Sequence, residues 1–170
     1  MTLFFAFAAG LSIAVFVAAL LYAAITDVRA MRISNKTCLV VVCTYCLYAV
    51  ASSAAGKGPD IMASGAIAAC VFAITATLFA FGFFGGGDVK LLSAVALWTT
   101  PTSILDVLVV ITAVGGLIAV VILAQQSLIG KLRLNSEGAA AIDQRPIPYG
   151  PAITLGGLYQ VSELILNGFY

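Results

Sequence analysis

The chain has 170 residues, of which 62% are hydrophobic and only 9% charged, with a net charge of +1 and no histidine. No soluble domain of that length hides so much apolar surface, so the composition excludes a soluble globular fold and defines an integral membrane protein. The missing histidine also excludes histidine-based nucleophile triads and histidine metal sites, and the charge balance gives no sign of a nucleic-acid partner.

A helix needs about 20 apolar residues to cross the hydrocarbon core. Residues 3–25 form the first such run. It has no basic n-region and is too long for the apolar core of a signal peptide, so it is expected to stay as a first span. A polar stretch follows from Asp27 to Lys36. The second span is expected at 37–55, a turn at Gly56–Asp60, and the third span at 61–84. After three glycines comes a shorter apolar run, 89–100, which Pro101 ends. As a helix that run is only about 18 Å long, too short for roughly 30 Å of hydrocarbon. Either the helix begins before Asp88, or the glycine stretch is irregular backbone buried in protein. Both versions set Asp88 near the start of a helix, close to a membrane face. A fifth span is expected at 103–123, a cytoplasmic loop at about 125–148, and a last span at 151–166. The fold class is therefore an all-α bundle of about six transmembrane helices forming one domain, residues 1–170.

Charge orients the bundle. With six spans, the loops after spans one, three and five carry every basic residue except Lys57. The positive-inside rule makes that side cytoplasmic and both termini non-cytoplasmic. Asp27 and Asp88 then share the cytoplasmic side.

An ionisable group near membrane depth is a functional candidate, and Gly85-Gly86-Gly87-Asp88-Val89-Lys90 sets one among oily flanks. Two carboxylates that meet share a proton, and their pKa values split. The ionised one serves as general base on a water. The protonated one polarises a carbonyl and later donates to the leaving amine. Asp88 begins a helix and Asp27 lies near the end of one, so the helix dipoles predict Asp88 to be the more readily ionised. Lys90, two residues from Asp88, does not face it on a helix. The glycines allow close approach of an extended peptide.

The other polar groups have quieter readings. Cys43 and Cys46 have CxxC spacing, but no second pair completes a zinc site. All four cysteines are expected to be small, buried packing residues. Asp60 is expected to cap span three, and Asp106 to form a capping box with Ser103. Gln160, Glu163 and Asn167 make a polar stripe on the last span, read as helix-to-helix glue, with an ion or proton path as the sharper alternative. The 125–148 loop reads equally as a cover over the site or as a solvated connector.

At these residues the chain resembles the type IV prepilin peptidases, a branch of the GxGD aspartyl intramembrane proteases. Gly85-Gly86-Gly87-Asp88 matches G-x-G-D, and Val89-Lys90-Leu91-Leu92 matches what commonly follows it. Asp27 with Ile33-Ser34-Asn35 looks like the first-aspartate segment, with Ser34 where the family usually has proline. Pro148-Tyr149-Gly150-Pro151-Ala152-Ile153, followed by Gly156-Gly157, resembles the P-Y-G-x-A-I segment. The resemblance implies a membrane aspartic endopeptidase with Asp27 and Asp88 catalytic. Gly85, Gly86, Gly87, Lys90, Pro148, Tyr149 and Gly150 would form the substrate-binding or motif backbone. It implies cleavage of short, basic leaders of prepilins at the cytoplasmic face of a bacterial inner membrane. The partners would be the prepilin, with its leader and apolar N-terminal helix, and the lipid bilayer. The short form looks like the peptidase-only members serving Flp/Tad-type pili, so no cofactor, no zinc and no N-methyltransferase activity are expected. Two readings from other classes stand beside it. One is a small transporter using Asp27, Asp88 and Glu163 as a relay; the other is a non-catalytic pilus or secretion assembly factor.

Overall fold

The computed structural model describes residues 2–134 and 147–166, and these are helical with no strand among them. The helices are α1 (Thr2–Ala30), α2 (Asn35–Ala54), α3 (Ile61–Ala80), α4 (Gly86–Ala96), α5 (Ile104–Leu134) and α6 (Gly150–Leu166). Four of them, α1, α2, α3 and α5, are long and apolar enough to cross a membrane. At 11 residues, α4 is about 16 Å long and does not reach across by itself.

Large apolar side chains point outward all over the bundle, among them Phe4, Phe7, Leu105 and Val120. In lipid that exposure costs nothing, and cohesion comes from close packing and small residues instead. Helix α6 shows this. A Cβ on Gly156 would strike Ile111 of α5, and one on Gly157 would strike Leu20 of α1. The two glycines thus let α6 lie against both helices. Thr154 Oγ1 adds a bond by donating to the Leu20 carbonyl at 2.8 Å.

The short helix α4 sits in the middle, against α2, α3 and α6, with Leu91 and Val95 fully buried. Just past its end, Trp98 stacks on Phe16 (4.2 Å between ring centroids) and on Tyr48 (5.3 Å), and meets Tyr45 edge-on. Its indole Nε1 donates to the Val41 carbonyl at 3.3 Å. One aromatic therefore ties the end of α4 to α1 and α2.

The helix ends are explained by the sequence. Asp60 caps α3 by accepting from Ala63 N at 3.0 Å, as expected. Met31, at φ 49°, reverses the chain after α1. Ser34 then caps α2, its side chain accepting from Lys36 N. Where the resemblance has proline, this serine holds the turn with a cap. Three expectations are corrected. Ser103 and Thr100 bond each other at the α4–α5 turn, and Ser103 N donates to Thr100 Oγ1 (3.2 Å) rather than to Asp106. Only Cys38 is buried; Cys43, Cys46 and Cys70 lie exposed on the outer surface, where lipid accepts them. Helix α5 continues to Leu134, inside the stretch read as a loop. Glu137, Asp143, Arg145 and Asn167 lie outside the described residues.

Candidate active site

One end of the bundle gathers the end of α1 and the starts of α2, α4 and α6. Asp27 is in the last turn of α1 and only 6% exposed. Its Oδ2 accepts the backbone N–H of Gly150 at 2.7 Å. Gly150 is the first residue of α6, so the Asp27 carboxylate sits on the positive end of that helix, where a negative charge is favoured.

Asp88 comes from α4. Gly85 is the N-cap, which makes Asp88 the third helical residue. From that position an acid reaches back to the N-cap amide, as in a capping box. The Asp88 carboxylate does fold back over Gly85, close enough for the Gly85 amide to favour its charged form. This geometry accounts for the glycines one by one. A Cβ on Gly85 would lie 2.6 Å from Asp88 Oδ2. A Cβ on Gly87 would lie 3.1 Å from Ile33 Cβ and 3.5 Å from that residue's backbone N and O. A Cβ on Gly86 would meet only the Phe79 ring, at an ordinary 3.4 Å. The spacing glycine-any-glycine-aspartate is thus what it takes to fold the carboxylate over the helix start while the start packs on the α1–α2 turn.

The two acids interact. Burial pushes the Asp88 carboxyl up to about 6, the Asp27 charge adds to the rise, and the Gly85 amide opposes it. The α6 start gives Asp27 a donor of its own, so the helix dipoles by themselves do not rank the two acids. The dipole argument used each acid's own helix. It missed that α6 points its N-terminus at Asp27, which supplies a donor and a favourable field.

The remaining site residues fall into place around the pair. Lys90 turns away from Asp88, and its Nζ donates to Asn35 Oδ1 at 2.9 Å, joining the starts of α4 and α2. Tyr149 stacks on Phe84 (5.5 Å) and rests against Gly115 of α5, fixing the approach to α6. Pro148 is half-buried just before it. Beside Lys90, an apolar groove of about 410 Å³ runs between α2 and α3 with α4 as its floor, lined by Leu39, Val42, Phe72 and Leu97 among others. Cys38 is also on its wall, and Lys90, two residues from Asp88, sets one end of the groove near that acid. Sequence reasoning missed Asn35 and the groove. Asn35 carried no signal beyond its place in the first-aspartate segment.

The fold and site define a multi-pass membrane protein with two interacting carboxylates at one end of a helix bundle. A model of the type IV leader peptidase family matches residues 14–123, which include both aspartates. The chain belongs to that family, and with membership comes aspartic peptidase activity on a prepilin-like substrate. No curated protein and no solved structure matches it.

Proposed function

We propose that the protein removes the short basic leader of a prepilin at the cytoplasmic membrane face, with Asp27 as general base and Asp88 as general acid. The observation that carries this reading is the Asp27–Gly150 bond beside a protonatable Asp88. Asp27, whose charged form accepts the α6 amide, takes a proton from water as its oxygen attacks the scissile carbonyl carbon. Asp88 gives its proton to the carbonyl oxygen, and a gem-diol forms. Asp27 then passes its proton to the leaving nitrogen, the C–N bond breaks, and Asp88 recovers its proton from the diol. A carboxylic acid and an amine leave, and both acids return to their starting states.

The charge pattern supports the cytoplasmic placement. Arg29, Arg32, Lys36 and Lys90 cluster at the end that holds the acids, while Lys57 is at the other. That orientation has both termini outside. The groove beside Lys90 supports a substrate with an apolar helix after the cut, because such a helix can lie along it from within the bilayer while its leader crosses the acids.

Co-expression with a candidate prepilin tests this. Wild type converts the precursor, seen as a gel shift, while Asp27→Asn and Asp88→Asn accumulate in the membrane and leave it uncut. Cleavage near the wild-type rate by either variant removes that carboxylate from the mechanism.

A further inference from the structure

Each acid is met by a glycine, and an aromatic ring stands just before each of those glycines. Phe84 precedes Gly85, the N-cap of α4 over which the Asp88 carboxylate folds. Tyr149 precedes Gly150, whose amide donates to Asp27. Tyr149 also holds the cap position of α6, since its carbonyl accepts from Ile153 N at 3.1 Å. The two rings stack, 5.5 Å between centroids and 21° between planes, within the range where aromatic pairs attract. The proton transfers described above give these rings no task.

Three features set the pair apart from ordinary core packing. Both rings come from outside the helices, Phe84 from the end of the α3–α4 turn and Tyr149 from the residue before α6. The neighbouring Phe83 points outward at 73% exposed, while Phe84 turns in against the core. Above all, the stack closes a ring of contacts around both acids. The start of α4 packs on Ile33, 3.1 Å from where a Cβ on Gly87 would be. Ile33 lies in the turn that follows α1, and the last turn of α1 carries Asp27. Asp27 accepts from Gly150 at the start of α6, and Tyr149 leads back to Phe84 and so to α4. Helix α6 also lies against α4 at Val95, 3.6 Å from where a Cβ on Gly157 would be, but that contact is about two turns deeper. At the helix starts, where the acids are, the stack makes the link.

We propose that Phe84 and Tyr149 are positioning residues, whose stack clamps the start of α4 to the start of α6 and thereby sets the separation of the Asp88 and Asp27 carboxylates. The proposal rests on the reading of those acids as the catalytic pair. The rings act through the glycines that follow them. Tyr149 is itself held from the side of α5, where a Cβ on Gly115 would lie 3.3 Å from its Cε1. Opening the ring of contacts lets the start of α4 shift against α6, and a misplacement of about 1 Å can cost on the order of 100-fold in rate. Substrate binding along the groove beside Lys90 does not pass through the stack, so the loss falls on turnover rather than on binding.

The test uses the full chain, purified in an uncharged detergent. Amide hydrogen exchange is followed by NMR at Gly150, which is bonded to Asp27, and at Val89, whose N–H donates to the Gly85 carbonyl at 3.1 Å. Phe84→Ala is expected to speed exchange at Gly150, and Tyr149→Ala to speed it at Val89, each about tenfold or more. Tyr149→Phe keeps the ring and the slow exchange. Phe83→Ala, at an exposed ring, is the control and changes neither amide. In cleavage of a purified prepilin, each alanine variant lowers kcat about tenfold or more with KM within about twofold. The double variant loses no more than the worse single one. An exchange effect confined to the substituted residue's own helix overturns the proposal, because it marks local packing only. So do kcat losses that multiply in the double variant. If Phe84→Ala does not accumulate, Phe84→Leu keeps the apolar bulk without the stack and decides in its place. The exchange measurement needs no substrate, so it decides the proposal even where wild type cuts no prepilin, a result that counts against leader cleavage alone.

Discussion

Replacing Gly150 with alanine tests the site at its most sensitive point. An alanine Cβ there would lie 2.7 Å from Asp27 Cβ, 2.9 Å from its Oδ2 and 3.1 Å from its Cγ. The two shortest are too short for real atoms, and Asp27 Cβ is fixed to α1, so either the last turn of α1 with its carboxylate or the start of α6 must move. Helix α6 is held by the Thr154–Leu20 bond and by close packing at Gly156 and Gly157, which leaves Asp27 and the last turn of α1 as the part that yields. The substitution keeps the Gly150 amide but removes its bond to Asp27. A hydrogen bond to a charged group is worth about 1.5–3 kcal/mol, and about 1.4 kcal/mol is tenfold in rate. Gly150→Ala is therefore expected to slow prepilin cleavage about 10- to 100-fold, measured by gel shift over time in membranes with matched protein levels. Gly116→Ala is the control, because a Cβ at Gly116 meets nothing within 4 Å; it should cleave like wild type. Cleavage by Gly150→Ala within about twofold of wild type would refute the reasoning, because Asp27 would not need the amide.

The three glycines before Asp88 should separate in the same assay. Gly86→Ala is expected to be silent, while Gly85→Ala keeps the fold but displaces the carboxylate and lowers cleavage at least tenfold; equal effects at both positions would count against the capping geometry. Asp88 also makes a pH prediction. Its pKa rises from 3.8 unfolded to about 6 folded, so the native state holds the extra proton and wild-type stability falls as pH rises through that window. Asp88→Asn removes the buried charge, so its Tm should exceed that of wild type at about pH 8 and match it below about pH 4; the same difference at both pH values would show that Asp88 is not the cause. Ser34→Pro should retain cleavage, because Ser34 has φ −72° and ψ 136°, which proline adopts; Ser34→Ala should lower stability by about 1 kcal/mol through the lost cap. Trp98→Ala should lower stability by about 3–5 kcal/mol, read by thermal unfolding in detergent, since Phe16, Tyr45 and Tyr48 all pack on that ring.

Much of the molecule was legible in the chain because membrane proteins obey few and strong local rules. Apolar run length gave the helices, and Asp60 marked the start of α3 by a cap that uses only neighbouring residues. The two aspartates stood out because charge is rare among such flanks. What failed was whatever depended on a partner far along the chain. The burial of the cysteines was misjudged because a helix that is apolar all round gives no sign of which face meets lipid. Ser103 was assigned the wrong partner because Thr100, just upstream, competes with Asp106 for its amide. The polar stripe on α6 was visible, but not that Gln160 is buried with its Oε1 accepting no hydrogen bond among the described residues.

The sequence by itself determined a helical membrane protein with Asp27 and Asp88 as its outstanding acids, since hydropathy and charge are properties of short stretches. The tertiary structure alone decided which groups meet each acid. Gly150 is separated from Asp27 by most of the chain, and only the packing of α6 against α1 brings its amide to within 2.7 Å of the carboxylate. At that distance one hydrogen bond and one helix end act on Asp27 that the helix on which it sits gives no sign of.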